Sequence, residues 1–325
     1  MNRRQFVRLA GSAAVLAAVP LRAHAQAYPA RPVRMIVPFA PGGQTDAIAR
    51  LVAQKLSDHF GTQFYVENLP GAGGNIGMGR AVQAPNDGYT LLVVDGTTYV
   101  ANPSLFNKVP YDPYRDFDPI SLPVTTTQVL TVTPSLPVHS VKELVALIEA
   151  NPGKYTYASA GVGSPSHLTS ELFRTSLHLD LVHVPFNGAG PAVTSTIGGH
   201  TPIAFSSPAS SVEQVKQRNL RALAVAAKTR LPALPDVPSM VEAGYADIIC
   251  DARLGAFAPT GTPKDIIVRL NDEIGKIVAL PDVKERLAAL GFEAFPNTPG
   301  EAATLIKEES VKWAKVIREA GIKSQ

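Results

Sequence analysis

The sequence predicts an α/β fold of two lobes joined by two crossings, on three observations. Short apolar, β-rich runs alternate with stretches of helical period. Glycine-rich or small polar loops follow the strands. The alternation runs through two successive series before a last strand returns the chain to the first. In the first series Val33–Val37 reads as a buried strand, followed by a Pro/Gly turn and a helix from Asp46 to His59. Phe64–Glu67 reads as the next strand; Pro70-Gly71-Ala72-Gly73-Gly74 and a helix from Ile76 to Gln83 follow it. Thr90–Val94 is a third strand running into a polar loop, Asp95-Gly96-Thr97-Thr98.

The second series opens at Val129–Val132, with a helix over Val141–Ala150, a strand at Tyr155–Ala158, the loop Ser159–Ser164 and a helix over His167–Ser176. Leu181–Val184, Ile203–Phe205 and Ala222–Val225 are further strands. Leu231–Pro238 reads as a connector, Gly255–Ala258 as the return strand, and the chain from Pro263 onward as mainly amphipathic helix. The domain reading is therefore 26–125 plus 248–325 for lobe 1 and 126–247 for lobe 2, a hinged clamp with a cleft between them.

Residues 1–25 read as an export signal. Arg3, Arg4 and Arg8 precede the apolar run Leu9–Leu21, and Ala23-His24-Ala25 forms a small-residue cleavage site. The run is too short to span a bilayer, which takes about 20 residues. Arg3-Arg4-Gln5-Phe6 suits twin-arginine export as well as the general secretory route. The mature chain is expected to be soluble and periplasmic. Removing the four leader arginines from the 30 basic residues leaves 26 against 27 acidic ones, a net charge of −1, so no nucleic-acid footprint remains. The single cysteine, Cys250, excludes a disulfide scaffold.

Catalytic signals are sparse. The histidines His59, His139, His167, His178, His183 and His200 show no pairing at i, i+4 and no acidic neighbour suited to a metal site, so no metal is expected. Gly161-Val162-Gly163-Ser164 is not a nucleophile elbow, and Pro41-Gly42-Gly43-Gln44-Thr45 lacks the Lys-Ser/Thr pair of a phosphate loop. No cofactor is implied. Binding is the stronger reading. The loops Phe39–Thr45 and Ala160–Ser164 each leave a strand and open a helix, where unpaired backbone N–H groups attract an anion. One carboxylate between two such helix starts would close the clamp, with the hydroxyls of Thr45 and Ser164 donating to it and Asp46 capping its helix.

Several motifs together resemble the Bug-type receptors of tripartite tricarboxylate transporters. They are Pro38-Phe39-Ala40-Pro41-Gly42-Gly43 with Asp46, Glu67-Asn68-Leu69-Pro70-Gly71-Ala72-Gly73-Gly74, and Pro85-Asn86-Asp87-Gly88-Tyr89-Thr90. Gly163-Ser164 with His167-Leu168, His183-Val184-Pro185-Phe186 with Gly188-Ala189-Gly190-Pro191-Ala192, and Ala258-Pro259-Thr260-Gly261-Thr262-Pro263 complete the set. The resemblance implies a two-lobed periplasmic binding protein, a Venus flytrap, that delivers a small organic acid to integral membrane permease subunits. It implies no turnover, so the chain is not expected to be an enzyme. Matching ligand-site positions are Phe39, Gly42, Gly43, Gln44 and Thr45, with Ala160, Gly161, Gly163, Ser164 and His167 opposite. Two departures bear on the ligand. Ser206 stands where many relatives have aspartate, which argues against an amino acid. Arg253 stands where a tryptophan is common and would suit a second carboxylate, with Asn187 and Ser206 as further distal contacts. The expected protein is a monomeric dicarboxylate receptor; the alternative is a ligand sensor docking on a membrane kinase.

Overall fold

The computed structural model describes residues 28–250, 252–319 and 321–322. The leader, its cleavage after Ala25, and Asp251 lie outside the described residues. Strand β1 (Val33–Val37) leads into α1 (Gln44–Phe60), β2 (Phe64–Asn68) into α2 (Asn75–Val82), and β3 (Thr90–Asp95) into α3 (Gly96–Leu105). Strand β4 (Phe117–Thr126) precedes β5 (Val129–Val132), α4 (Val141–Glu149), β6 (Tyr155–Ser159), α5 (Pro165–Ser176) and β7 (Leu181–Pro185). Then come α6 (Ala189–Ile197), β8 (Ile203–Ser206), α7 (Pro208–Lys216) and β9 (Arg221–Val225). The chain closes with β10 (Ala252–Pro259), α8 (Lys264–Ala279), α9 (Pro281–Ala289), β11 (Phe292–Ala294) and α10 (Pro299–Glu319).

Two sheets result, a six-stranded one in the order β11-β4-β10-β3-β1-β2 and a five-stranded one in the order β7-β6-β8-β5-β9. Strand β1 runs parallel to β2 and β3, and β6 runs parallel to β7 and β8. Both faces of such βα units are covered, which is why β3 and β5 are buried at every residue. The chain leaves the first sheet between Thr126 and Val129 and returns between Val225 and Ala252, where β10 inserts antiparallel between β3 and β4. Trp313, Tyr99 and Phe257 are buried in the core under the first sheet, and Tyr157, Phe173 and Phe205 in that under the second.

All the strands expected from the sequence lie within observed ones, but five elements were not anticipated: the three-residue β11, which falls in a segment read as helical, and four that proline or small residues hid. Strand β4 carries Pro119 and Pro123, which cannot donate to a ladder, and its pairing with β10 shifts register twice. Helices α6 and α7 open on Ala-Gly-Pro-Ala and Pro-Ala-Ser-Ser, with little apolar period. The segment expected to be a polar loop at Asp95–Thr98 is the start of α3, which holds Pro103 inside it. Pro103 offers no N–H to the carbonyl of Tyr99, and the hydroxyl of Tyr111 donates to that oxygen instead at 2.6 Å.

Candidate functional site

The first cleft loop is built by its backbone. Gly42 has a φ of 89°, a left-handed conformation that side chains resist, and this turns its N–H onto Oδ2 of Asp46 at 3.0 Å. Asp46 is the third residue of α1; the position before the helix belongs to Gly43, which has no side chain to cap with. Asp46 thus steadies the loop from inside the first turn. Its carboxylate also accepts from Arg50 Nε at 3.0 Å and from Asn68 Nδ2 at 3.0 Å, while Asn68 reaches the carbonyl of Phe39 at 2.9 Å. Burial alone would raise the Asp46 pKa, but the bonds from Arg50, Gly42 and Asn68 outweigh it and hold the carboxyl below its usual range. Gln44 and Thr45 are left at the helix start facing the cleft.

The second loop is held from beneath. Ser164 caps α5: its Oγ accepts from the amide of His167 at 3.3 Å and donates to the carbonyl of Gly161 at 2.6 Å. The Ser164 hydroxyl expected to donate to a ligand is therefore already engaged within its own loop. Gly163, with a φ of 81°, donates its N–H to Nδ1 of His167 at 3.2 Å. His167 stacks on His183 at 4.3 Å, and Nε2 of His183 lies 2.6 Å from Oγ of Ser159, which in turn accepts from Gly161 N–H. Burial pushes His167 down to about 3, with the neighbouring His183 adding to the fall, and burial pushes His183 down to about 4. Both rings are neutral supports for the loop. His59 is not isolated either, since its Nδ1 sits 2.9 Å from Glu273. Among the described residues no cluster of side chains could hold a metal ion.

Between the loops lies a cleft whose space, open solvent included, is about 530 Å³. Phe39, Gly43, Gln44, Thr45 and Asp46 line one side, and Ala160, Ser164, Pro165 and Ser166 the other. Helices α6 and α7 also begin at this wall, contributing Ala189 and Ala192 of the one and Ser207 and Ser210 beside the other, next to Ser206. Four helix starts thus converge on one cavity, an arrangement that favours an anion. Gly42, which is exposed, and Gly163 and His167, which are buried, are not among the residues that line it. Gly161 and Asn187 border an adjoining opening that Phe39 and Ala160 share with the cleft. A Cβ on Gly163 would collide with Oδ1 of Asn102, so the second loop packs against α3 as closely as its backbone allows.

Arg253 is not brought to the cleft. Its Nη1 pairs with Glu309 of α10 at 2.8 Å and its guanidinium lies over Phe295, because the strand alternation turns it to the face that α10 covers. Cys250 is fully buried and burial drives its thiol up to about 12, which leaves it an inert packing group. Besides Ser166, Ser207 and Ser210, two polar residues on the cleft wall were not singled out in the sequence: Gln128, at the first crossing, and Asp95, at the end of β3. Each is 1% exposed. Oδ1 of Asp95 accepts from the amides of Thr97 and Thr98 at 2.8 and 3.3 Å, and Oδ2 from Nε2 of Gln44 at 3.1 Å. The available signal was an aspartate closing an apolar strand ahead of Gly-Thr-Thr, which is a helix cap.

A pair of α/β sheets, crossed twice by the chain and meeting at converging helix starts, defines a two-lobed solute-binding protein. The chain belongs to the tripartite tricarboxylate transporter receptor family, whose model matches residues 48–322. Three solved structures resemble it closely. The Rhodopseudomonas palustris protein Rpa4515 with adipate matches at a TM-score of 0.88 and 32% identity, over 90% of this chain and 98% of that one. The periplasmic binding protein BugD matches at 0.87 and 34%, over 91% and 100%. MatC from the same Rhodopseudomonas, with bound malate, matches at 0.84 and 33%, over 89% and 100%.

Proposed function

We propose that this receptor captures a small organic dicarboxylate in the cleft and delivers it, without chemical change, to a membrane permease of the tripartite tricarboxylate type. The observation that carries the reading is the convergence of α1, α5, α6 and α7 on one small cavity, where main-chain amides and hydroxyls can hold a carboxylate without a cationic side chain. Adipate and malate in two relatives support a diacid. On this reading lobe 1 comprises 26–125 and 248–325, lobe 2 comprises 126–247, and the exported monomer is cut after Ala25. Gly43, Gln44 and Thr45 face Ser164, Pro165 and Ser166 across the bound acid.

A thermal-shift and calorimetric screen of residues 26–325 against adipate, malate, citrate and matching monoacids tests it. A ligand at 100 times its dissociation constant adds about 2.7 kcal/mol of stability. A diacid should raise the melting point and be recovered unaltered. Stabilisation by monoacids alone, or consumption of the ligand, contradicts the reading.

A further inference from the structure

We propose that Asp95 is the selectivity group of the cleft, and that it receives one acid group of the ligand through a single shared proton. The inference rests on the dicarboxylate reading above and adds a proton to it. An acid on the wall of an anion-binding cavity is at first sight misplaced, and its surroundings explain how it is tolerated.

Among the described residues no lysine, arginine or histidine hydrogen-bonds or pairs with Asp95; its partners are two main-chain amides and the neutral Gln44. Gln44 is linked in turn to Gln128, whose Nε2 lies 3.4 Å from Gln44 Oε1. The charged group acting on it is Glu309 of α10, itself held by Arg253 and by Nε1 of Trp313, each at 2.8 Å. The buried thiol of Cys250 is the other titratable group coupled to it. The cleft's second acid, Asp46, is compensated by Arg50. The opposite wall of the cavity presents serine hydroxyls and apolar side chains, all neutral.

Burial therefore raises Asp95 to about 7 against the two amide bonds, and the charge of Glu309 reinforces the rise. A ligand carboxylate closing on this wall brings a second negative charge into a site that water leaves. Two carboxylates in contact cannot both stay ionised. The oxygen that keeps the proton, Oδ2 of Asp95, then donates to the ligand, while Oδ1 continues to cap α3. The proton comes from solvent, so capture is coupled to uptake of one proton. The same group refuses a ligand that offers only apolar surface there, because its buried hydroxyl would be left without an acceptor.

The test is calorimetry of the mature protein with adipate, a diacid that brings no hydroxyl of its own, between pH 6 and pH 9 in phosphate and in Tris. Proton uptake is expected to approach one per ligand above pH 8, and affinity to fall about tenfold per pH unit above about 7. Asp95→Asn cannot take up a proton; in it the uptake should vanish and the pH profile flatten, Gln44 being free to turn its carboxamide over. Adipate binding with no proton uptake in the wild type overturns the role of Asp95 and leaves the receptor reading intact. So does affinity that rises with pH, or binding of malate but of no simple diacid, either of which makes Asp95 an ionised acceptor. Failure of every diacid to bind removes the dicarboxylate reading itself.

Discussion

The amide of Gly163 donates to Nδ1 of His167 at 3.2 Å, so the second cleft loop rests on the bare nitrogen of a buried imidazole. A proton on that nitrogen would replace an acceptor with a donor facing a donor. The folded-state pKa values of His167 and His183 are depressed, to about 3 and about 4, from 6.5. Depressed groups stabilise the fold fully above their unfolded value, and that stability is lost as pH falls from about 6.5 through the folded values. Asp95 acts in the opposite sense. Raised to about 7 from 3.8, it favours the fold below 3.8 and costs stability as pH rises through 7.

His167→Asn keeps an acceptor near Gly163 and removes the titration. Its melting point should fall less steeply than that of the wild type between pH 6.5 and 4.5, a window above the usual carboxylate range. Equal slopes in the two proteins would show that the buried imidazole is not what titrates.

Ser164→Ala removes a helix cap and the bond to Gly161 together, and should cost about 1 kcal/mol of stability, within the usual 0.5–2. A shift in urea midpoint reports it. An unchanged midpoint, with affinity alone reduced, would restore the Ser164 hydroxyl to the ligand.

Arg253→Ala strands Glu309, which is largely buried, and should destabilise by roughly 1–3 kcal/mol. The ratio of diacid to monoacid affinity should stay as in the wild type. A collapsed ratio would mean that the guanidinium leaves Glu309 for the ligand.

Tyr111→Phe leaves the carbonyl of Tyr99 unpaired next to Pro103, at a cost of about 1–3 kcal/mol. Hydrogen exchange should show faster opening of α3, with α1 unaffected. Uniform protection in both helices would place the support for α3 elsewhere.

The parts of the fold legible in the sequence are those where one local pattern decides the structure. Val33–Val37 is apolar and buried at every position but Arg34 because helices cover both its faces, and the loop after it announces its turn with Gly42. The site was legible to the same depth: Phe39, Gln44, Thr45, Ala160, Ser164 and Ser206 do line one cavity. Illegible were the features set by distant packing. The direction of Arg253 depends on α10, 56 residues further on at Glu309. The burial of Asp95 depends on Gln44 and on the first crossing, neither of which adjoins it in sequence.

The four helix starts at the cleft have an evolutionary corollary. Every residue except proline contributes the same main-chain N–H, so a grip of that kind survives most point substitutions in the loops that carry it. Side chains on the remaining wall, Gln128 and Ser206 among them, can then change with little risk to that grip, whereas Asp95 also caps α3 and is less free to do so. On the receptor reading, such a lineage can alter which acid it takes through these side chains while the main-chain grip stays in place.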